Sequence, residues 1–212
     1  MAKPILYSYW RSSCSWRVRA ALELKGIAYE YKAVNILSGE QTADEYVKMA
    51  PTARIPTLVC GEESVCESMA IMEYLDDKFV VNAKLLPADP YERAIVRQIC
   101  LQITAGIQPI QHRKVLKYVG EDKSKEFAKH FITLGFQGLE RTLQKHSGQY
   151  SLGDTVTMAD CCVVPQVYNA IDRFDVDMSA FPTISKVNAN LLKLAAFQNS
   201  HPDHMPDAPQ KQ

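Results

Sequence analysis

The run Ile5-Leu6-Tyr7-Ser8-Tyr9-Trp10-Arg11-Ser12-Ser13-Cys14-Ser15-Trp16-Arg17-Val18-Arg19-Ala20-Ala21-Leu22 changes character midway. Ile5 to Tyr9 read as a strand, while Val18, Ala21 and Leu22 fall on one face of a helix that stops at Lys25-Gly26, a C-cap signal. A second strand runs through Tyr29-Glu30-Tyr31-Lys32-Ala33-Val34. Further on, Thr57-Leu58-Val59-Cys60 and Ser64-Val65-Cys66 read as hairpin strands about the turn Gly61-Glu62-Glu63-Ser64, and Met69, Ile71, Met72, Tyr74 and Leu75 mark another helix. The order is βαβ, a poorly defined segment, then ββα.

Between Phe79 and Pro90 the pattern breaks, and Leu85-Leu86-Pro87-Ala88-Asp89-Pro90 reads as a linker ending in an N-cap aspartate with proline at the first helical position. Strand signals vanish after it. Ile95, Ile99 and Ile103 recur at helical spacing, Phe127, Phe131 and Leu134 do the same, and Thr157 to Asn169 and Pro182 to Leu194 each suit one helix. The expected domains are therefore 1–82 and 88–212, α/β followed by all-α. The end, His201-Pro202-Asp203-His204-Met205-Pro206-Asp207-Ala208-Pro209, is polar and broken by proline, and reads as a loosely held tail. His201 and His204 lack a carboxylate or thiol cluster beside them, so no metal site is expected.

At 212 residues and 47% hydrophobic composition the chain can bury a substantial core. Its 24 basic and 24 acidic residues balance, which argues against nucleic acid or an anionic membrane surface as partner. No apolar stretch approaches the roughly 20 residues of a membrane helix, Met1-Ala2-Lys3-Pro4 leads into strand-like sequence without a signal segment, and a cytoplasmic location is expected. The six cysteines contain no Cys-x-x-Cys and read as reduced thiols. Cys60, Cys66, Cys161 and Cys162 read as small core side chains and Cys100 lies in a helical pattern, so only Cys14 occupies a position that chemistry favours.

Three stretches carry that chemistry. Ser12-Ser13-Cys14-Ser15 meets a helix N-terminus, where backbone amides and the helix dipole favour an anion and hydroxyl or thiol donors can hydrogen-bond a thiolate; Arg11, Arg17 and Arg19 would add positive potential. The plainer reading makes the serines N-caps and Cys14 a buried hydrophobe. In Arg54-Ile55-Pro56-Thr57 a proline precedes a strand. A cis bond there would leave the Ile55 backbone open to an extended peptide, although an ordinary turn proline is commoner. Ser68, after Glu67, can cap the next helix, whose amides can hold a carboxylate while Glu67 meets an ammonium group.

The run from Ser12 to Leu22, SSCSWRVRAAL, closely resembles the signature of zeta-class glutathione transferases. The resemblance extends through Lys3 to Tyr9, Ile55-Pro56-Thr57, Ser68-Met69-Ala70-Ile71, Leu85-Leu86-Pro87, Gly106-Ile107-Gln108-Pro109, Gly153-Asp154, Thr157-Met158-Ala159-Asp160 and Phe181-Pro182-Thr183-Ile184. It implies the glutathione transferase fold, a thioredoxin-like N-terminal domain with a helical C-terminal domain, assembled as a homodimer. It further implies that Ser12, Ser13 and Cys14 hold the glutathione thiolate, that Gln41, Ile55, Pro56, Glu67, Ser68 and Gln108 hold the tripeptide, that Pro56 is cis, and that Arg173 and Arg11 meet substrate carboxylates. Thr157 with Asp160 resembles the N-capping box of the superfamily.

The implied activity is glutathione-dependent cis–trans isomerisation of maleylacetoacetate to fumarylacetoacetate in tyrosine and phenylalanine breakdown, with transferase activity beside it. Rivals are a general conjugating transferase, a haloacid dehalogenase, thiol–disulfide chemistry through Cys14, and a non-enzymatic binding module on the same fold. Three departures stand out: Glu67 replaces the usual glutamine, His112-Arg113-Lys114 replaces a less charged stretch, and the loop from Leu37 to Gln41 is short.

Overall fold

β1 (Ile5–Ser8) sits inside a four-stranded sheet ordered β2-β1-β3-β4, with β2 spanning Glu30–Ala33, β3 Thr57–Cys60 and β4 Glu63–Cys66. β1 pairs parallel with β2 and antiparallel with β3, and β3 pairs antiparallel with β4. Hence β1, β2 and β4 point one way and β3 the other. Helix α1 (Ser13–Leu24) follows β1, and α3 (Ser68–Lys78) follows β4, so both helices begin at the same edge of the sheet. The register Tyr7↔Thr57↔Cys66 brings the start of β3 to that edge too. The computed structural model describes residues 3–80 and 84–210.

The elements form for the local reasons read above, with two adjustments between β2 and α3. The hairpin turn is tighter than expected, because Gly61 takes φ 64° and β4 already starts at Glu63. The undefined segment contains α2 (Asp44–Met49), which buries Tyr46 with Val34 and Ala50 against Tyr7, Met49, Ile55 and Cys66. Its Tyr46 hydroxyl donates to Arg54 O at 2.7 Å and lies 3.0 Å from Thr57 Oγ1, fixing the chain that enters β3.

One unit runs to Leu85 and resumes at Ala195; the other spans Leu86–Leu194. The reading of the end as a loosely held tail is thus corrected. Asp207 accepts from Trp10 N at 3.0 Å and from the Tyr31 hydroxyl at 2.6 Å, and Trp16 Nε1 donates to Ser200 Oγ at 2.9 Å. These bonds, with buried Pro202 and Phe197 of α9 (Ala195–Asn199), tie polar sequence down where composition alone suggests freedom. His201 packs edge-on against Trp16, with ring centroids 5.1 Å apart. Also within the first unit, Lys25 Nζ and Asp76 Oδ1 form a buried ion pair at 2.9 Å.

Among the described residues the second unit is helical apart from two isolated bridges: α4 (Pro90–Leu101), α5 (Arg113–Val119), α6 (Glu121–His146), α7 (Met158–Phe174) and α8 (Pro182–Leu191). Asp89 caps α4 by accepting from Glu92 N at 2.9 Å. Thr157 and Asp160 form the expected capping box at α7, with Thr157 N donating to Asp160 Oδ2 at 2.7 Å. On α6 the core face is Ala128, Ile132, Phe136, Leu139 and Leu143, whereas Leu134 is exposed. The Phe127–Phe131–Leu134 stripe identifies the helix but misplaces its buried side, because those aromatic rings pack on one another with centroids 4.8 Å apart. After α4 the chain widens into a π-helical turn, Gln102–Ile107, and a β-carbon at Gly135 would lie 2.8 Å from Ile107 Cδ1, so only glycine allows this approach of α6.

Candidate functional site

Ser12 is the N-cap of α1, with extended backbone (φ −75°, ψ 116°) and a side-chain Oγ that accepts from Ser15 N at 3.2 Å. That bond occupies the oxygen as an acceptor and leaves the hydroxyl hydrogen to be donated elsewhere. Ser13 is buried and Cys14 half-buried in the first turn, where helix amides lack intrahelical partners. No acidic residue occupies that turn, so nothing there opposes a bound anion. None of the six cysteines is in a disulfide, and Cys60, Cys100, Cys161 and Cys162 are buried. Burial pushes the thiols of Cys60 and Cys161 up, away from thiolate character.

The three arginines around this helix start differ in role. Arg11 is exposed, with its guanidinium 5.8 Å from the centre of the Trp10 ring. Arg19 is buried and donates to Ser200 O, Ser8 Oγ, Tyr9 O and Trp10 O at 3.1–3.3 Å. Desolvation lowers its pKa to about 10. Arg19 therefore also organises the loop between β1 and α1. Arg17 is 2% exposed and donates through Nη1 to Ser68 Oγ at 3.1 Å.

Ser68 lies in the first turn of α3 and Glu67 takes the N-cap position, a correction to the reading of Ser68 as the cap. Glu67 has φ 68°, which side-chain-bearing residues seldom adopt, and no side-chain hydrogen bond closes this helix start. Its side chain is exposed and that of Ser68 buried. The Ile55–Pro56 peptide is cis, and half-buried Ile55 precedes the β1–β3 ladder. Gln41 lies in the short turn Glu40–Thr42 that follows β2, with its buried Oε1 unpartnered.

Ser12, Ser13, Cys14, Ile55, Pro56 and Ser68 thus come together at one sheet edge, because each sits where a strand of common direction ends or the opposing strand begins. Their chemistry suits a peptide bearing an ionisable thiol and an α-carboxylate: two helix starts for two negative charges, and a free strand edge for the backbone between them. In the second unit Gln108 opens a 3-10 turn, Gln108–Gln111, and Arg173 holds its guanidinium 4.8 Å over the Phe174 ring in the last turn of α7. His112, in the departing stretch, caps α5 by accepting from Lys114 N at 3.3 Å. Sequence reasoning misses Tyr46 and Asp207, which position the site loops. The acidic start and apolar spacing of Asp44–Met49 hint at the first, and no local signal reveals the second.

Comparison with known proteins identifies the family. The glutathione S-transferase N-terminal domain family matches residues 2–77 and the C-terminal domain family residues 111–200. The maleylacetoacetate isomerase of Mus musculus is 50% identical over 209 residues, covering 98% of this chain and 96% of that protein. A zeta-class glutathione S-transferase of Euphorbia esula is 43% identical, covering 96% and 92%. The solved structure of maleylacetoacetate isomerase from Anaeromyxobacter dehalogenans 2CP-1, with dicarboxyethyl glutathione and citrate in its active site, superposes with a TM-score of 0.88 at 41% identity, covering 98% of this chain and 94% of that one. By sequence, fold and the helix start that carries Ser12, the chain belongs to the zeta class of the glutathione transferase family.

Proposed function

We propose that the protein is a glutathione-dependent maleylacetoacetate isomerase that forms fumarylacetoacetate in tyrosine and phenylalanine breakdown, acting as a cytoplasmic homodimer with glutathione transferase activity beside the isomerisation. The observation that carries the reading is the Ser12 N-cap, whose hydroxyl hydrogen is left free at the positive end of α1. Bound glutathione would supply a thiolate that adds to the cis double bond, leaves a single bond free to rotate, and departs again. Ser12, with Ser13 and Cys14 in the same turn, favours the ionised sulfur over the thiol. Ser68 and Glu67 receive the carboxylate and ammonium of the γ-glutamyl end, Ile55 aligns the peptide as an added strand, and Gln41 offers an unpartnered acceptor. The resemblance adds Gln108 as a further ligand. Arg11 and Arg173 are the cations for a dianionic keto acid, and the polycarboxylate ligands of the Anaeromyxobacter structure, dicarboxyethyl glutathione and citrate, support that choice of substrate class.

Incubation with maleylacetone and substoichiometric glutathione tests the reading. Cis-to-trans conversion with glutathione conserved is expected. Stoichiometric loss of glutathione would replace the isomerase with a conjugating or dehalogenating transferase, and abolition by Cys14→Ala with Ser12→Ala still active would point to thiol–disulfide chemistry.

A further inference from the structure

Arg17 is a buried cation without a counter-ion. Its side chain lies on α1, is 2% exposed, and pairs with no carboxylate among the described residues. Nε and Nη2 have no hydrogen-bond partner, and the one bond it makes runs from Nη1 to Ser68 Oγ at 3.1 Å. Burying an unpaired guanidinium is costly, and packing alone would be served better by an apolar side chain of the same length. The cost is explained if the missing charge arrives with a ligand.

The one contact shows where. Ser68 begins α3, an 11-residue helix whose N-terminus has no side-chain cap, after a residue held at φ 68°. A hydroxyl oxygen that accepts from a guanidinium has one lone pair engaged and its hydrogen directed away, which favours Ser68 as a donor to a ligand. The guanidinium also adds positive potential behind a helix start that already favours an anion.

We infer that Arg17 is a positioning residue for the ligand's α-carboxylate: it orients the Ser68 hydroxyl as a donor and supplies the buried charge that the carboxylate neutralises. The inference rests on the glutathione reading above and adds to it a residue that never touches the ligand. Arg17 also joins the two helix starts, because it stands on α1 five residues beyond Ser12 and holds the first residue of α3.

The test compares glutathione with 4-aminobutyryl-cysteinylglycine, which lacks only the α-carboxylate, by calorimetry on the purified protein and on Arg17→Met. Wild type should prefer glutathione. In Arg17→Met glutathione should bind about ten- to a hundredfold more weakly, the loss of one charge-assisted interaction, while the analogue changes less than about threefold. KM for glutathione should rise with kcat at saturation unchanged, and the unliganded protein should melt no lower than wild type. In a Ser68→Ala background Arg17→Met should cost less than it does in wild type, because the part of its effect that passes through that hydroxyl is already lost. If Arg17→Met does not fold, Arg17→Gln carries the same comparison. Equal loss for both ligands with a lowered melting temperature would make Arg17 merely structural and overturn the inference, as would unchanged selectivity. Failure of wild type to bind either tripeptide would instead remove the glutathione reading itself.

Discussion

Ser12 combines two roles that substitution can separate. Its Oγ accepts from Ser15 N at 3.2 Å, which stabilises α1, and in the proposed complex its hydrogen would be donated to the bound sulfur, which would lower the thiol pKa. Alanine removes both. Losing the cap costs about 1 kcal/mol, or about 2–4 °C in melting temperature for a chain of this size. Losing a hydrogen bond to a charged group costs about 1.5–3 kcal/mol, which raises the thiol by roughly 1–2 pKa units. Aspartate separates the roles. It caps as well as serine, so Ser12→Asp should unfold within about 0.5 kcal/mol of wild type, yet it places a carboxylate beside the sulfur. Two like charges about 4 Å apart at an effective dielectric near 20 repel by about 4 kcal/mol, roughly 3 pKa units and a thousandfold loss of thiolate at neutral pH. Thermal unfolding of the free protein and ultraviolet titration of bound glutathione measure the two effects. An unmoved thiol in Ser12→Asp would refute placement of the sulfur at this cap, and greater destabilisation by aspartate than by alanine would refute the cap.

Asp76→Ala leaves the buried Lys25 ammonium without the carboxylate 2.9 Å away and should lower urea stability by about 3–5 kcal/mol, whereas Lys25→Met with Asp76→Leu should recover most of it. Glu140 accepts from Thr183 N and Ile184 N, both at 2.9 Å, and closes the start of α8; Glu140→Ala should cost about 2–4 kcal/mol in chemical unfolding and spare glutathione affinity. The Tyr31 phenol is pushed up by burial first and then by its bond to Asp207. Above about pH 10 the unfolded chain therefore releases a proton that the native protein keeps, and stability falls there as pH rises; Tyr31→Phe should make that alkaline decline shallower by one proton.

Helix starts were legible because their chemistry is local. Ser12, Asp89 and the Thr157–Asp160 box each act on amides within a turn of themselves, so residue type and spacing suffice. Long-range partners were not. Nothing near Trp10 announces that Asp207, 197 positions away, accepts its amide, and Arg17 and Arg19, read as positive potential at the start of α1, give no sign that the fold buries both. The short α2 escaped because six residues hold a helix only through Tyr46 and its tertiary contacts, and the buried face of α6 escaped because Phe127 and Phe131 mimic a core stripe while packing on each other.

A cap can tune a sulfur only if the backbone that carries it does not move, since the dipole and hydroxyl act over a few ångströms. Residues 9–12 form a loop, the class of segment that ordinarily moves most. Here Ser12 N donates back to Tyr9 O at 3.0 Å, Arg19 holds Tyr9 O and Trp10 O, and Asp207 holds Trp10 N. The last of these comes from the far end of the chain, which explains why polar, proline-broken sequence after Ala195 is ordered within the first unit. On the proposed function its anchoring would serve the sulfur as well as the fold: Asp207→Ala should accelerate amide exchange at Trp10 and Ser12 and raise the thiol pKa of bound glutathione by about half a unit to one unit, with little change in α4 to α8. A rise in exchange spread evenly over both units would show instead that Asp207 serves global stability, and that the loop keeps its shape without it.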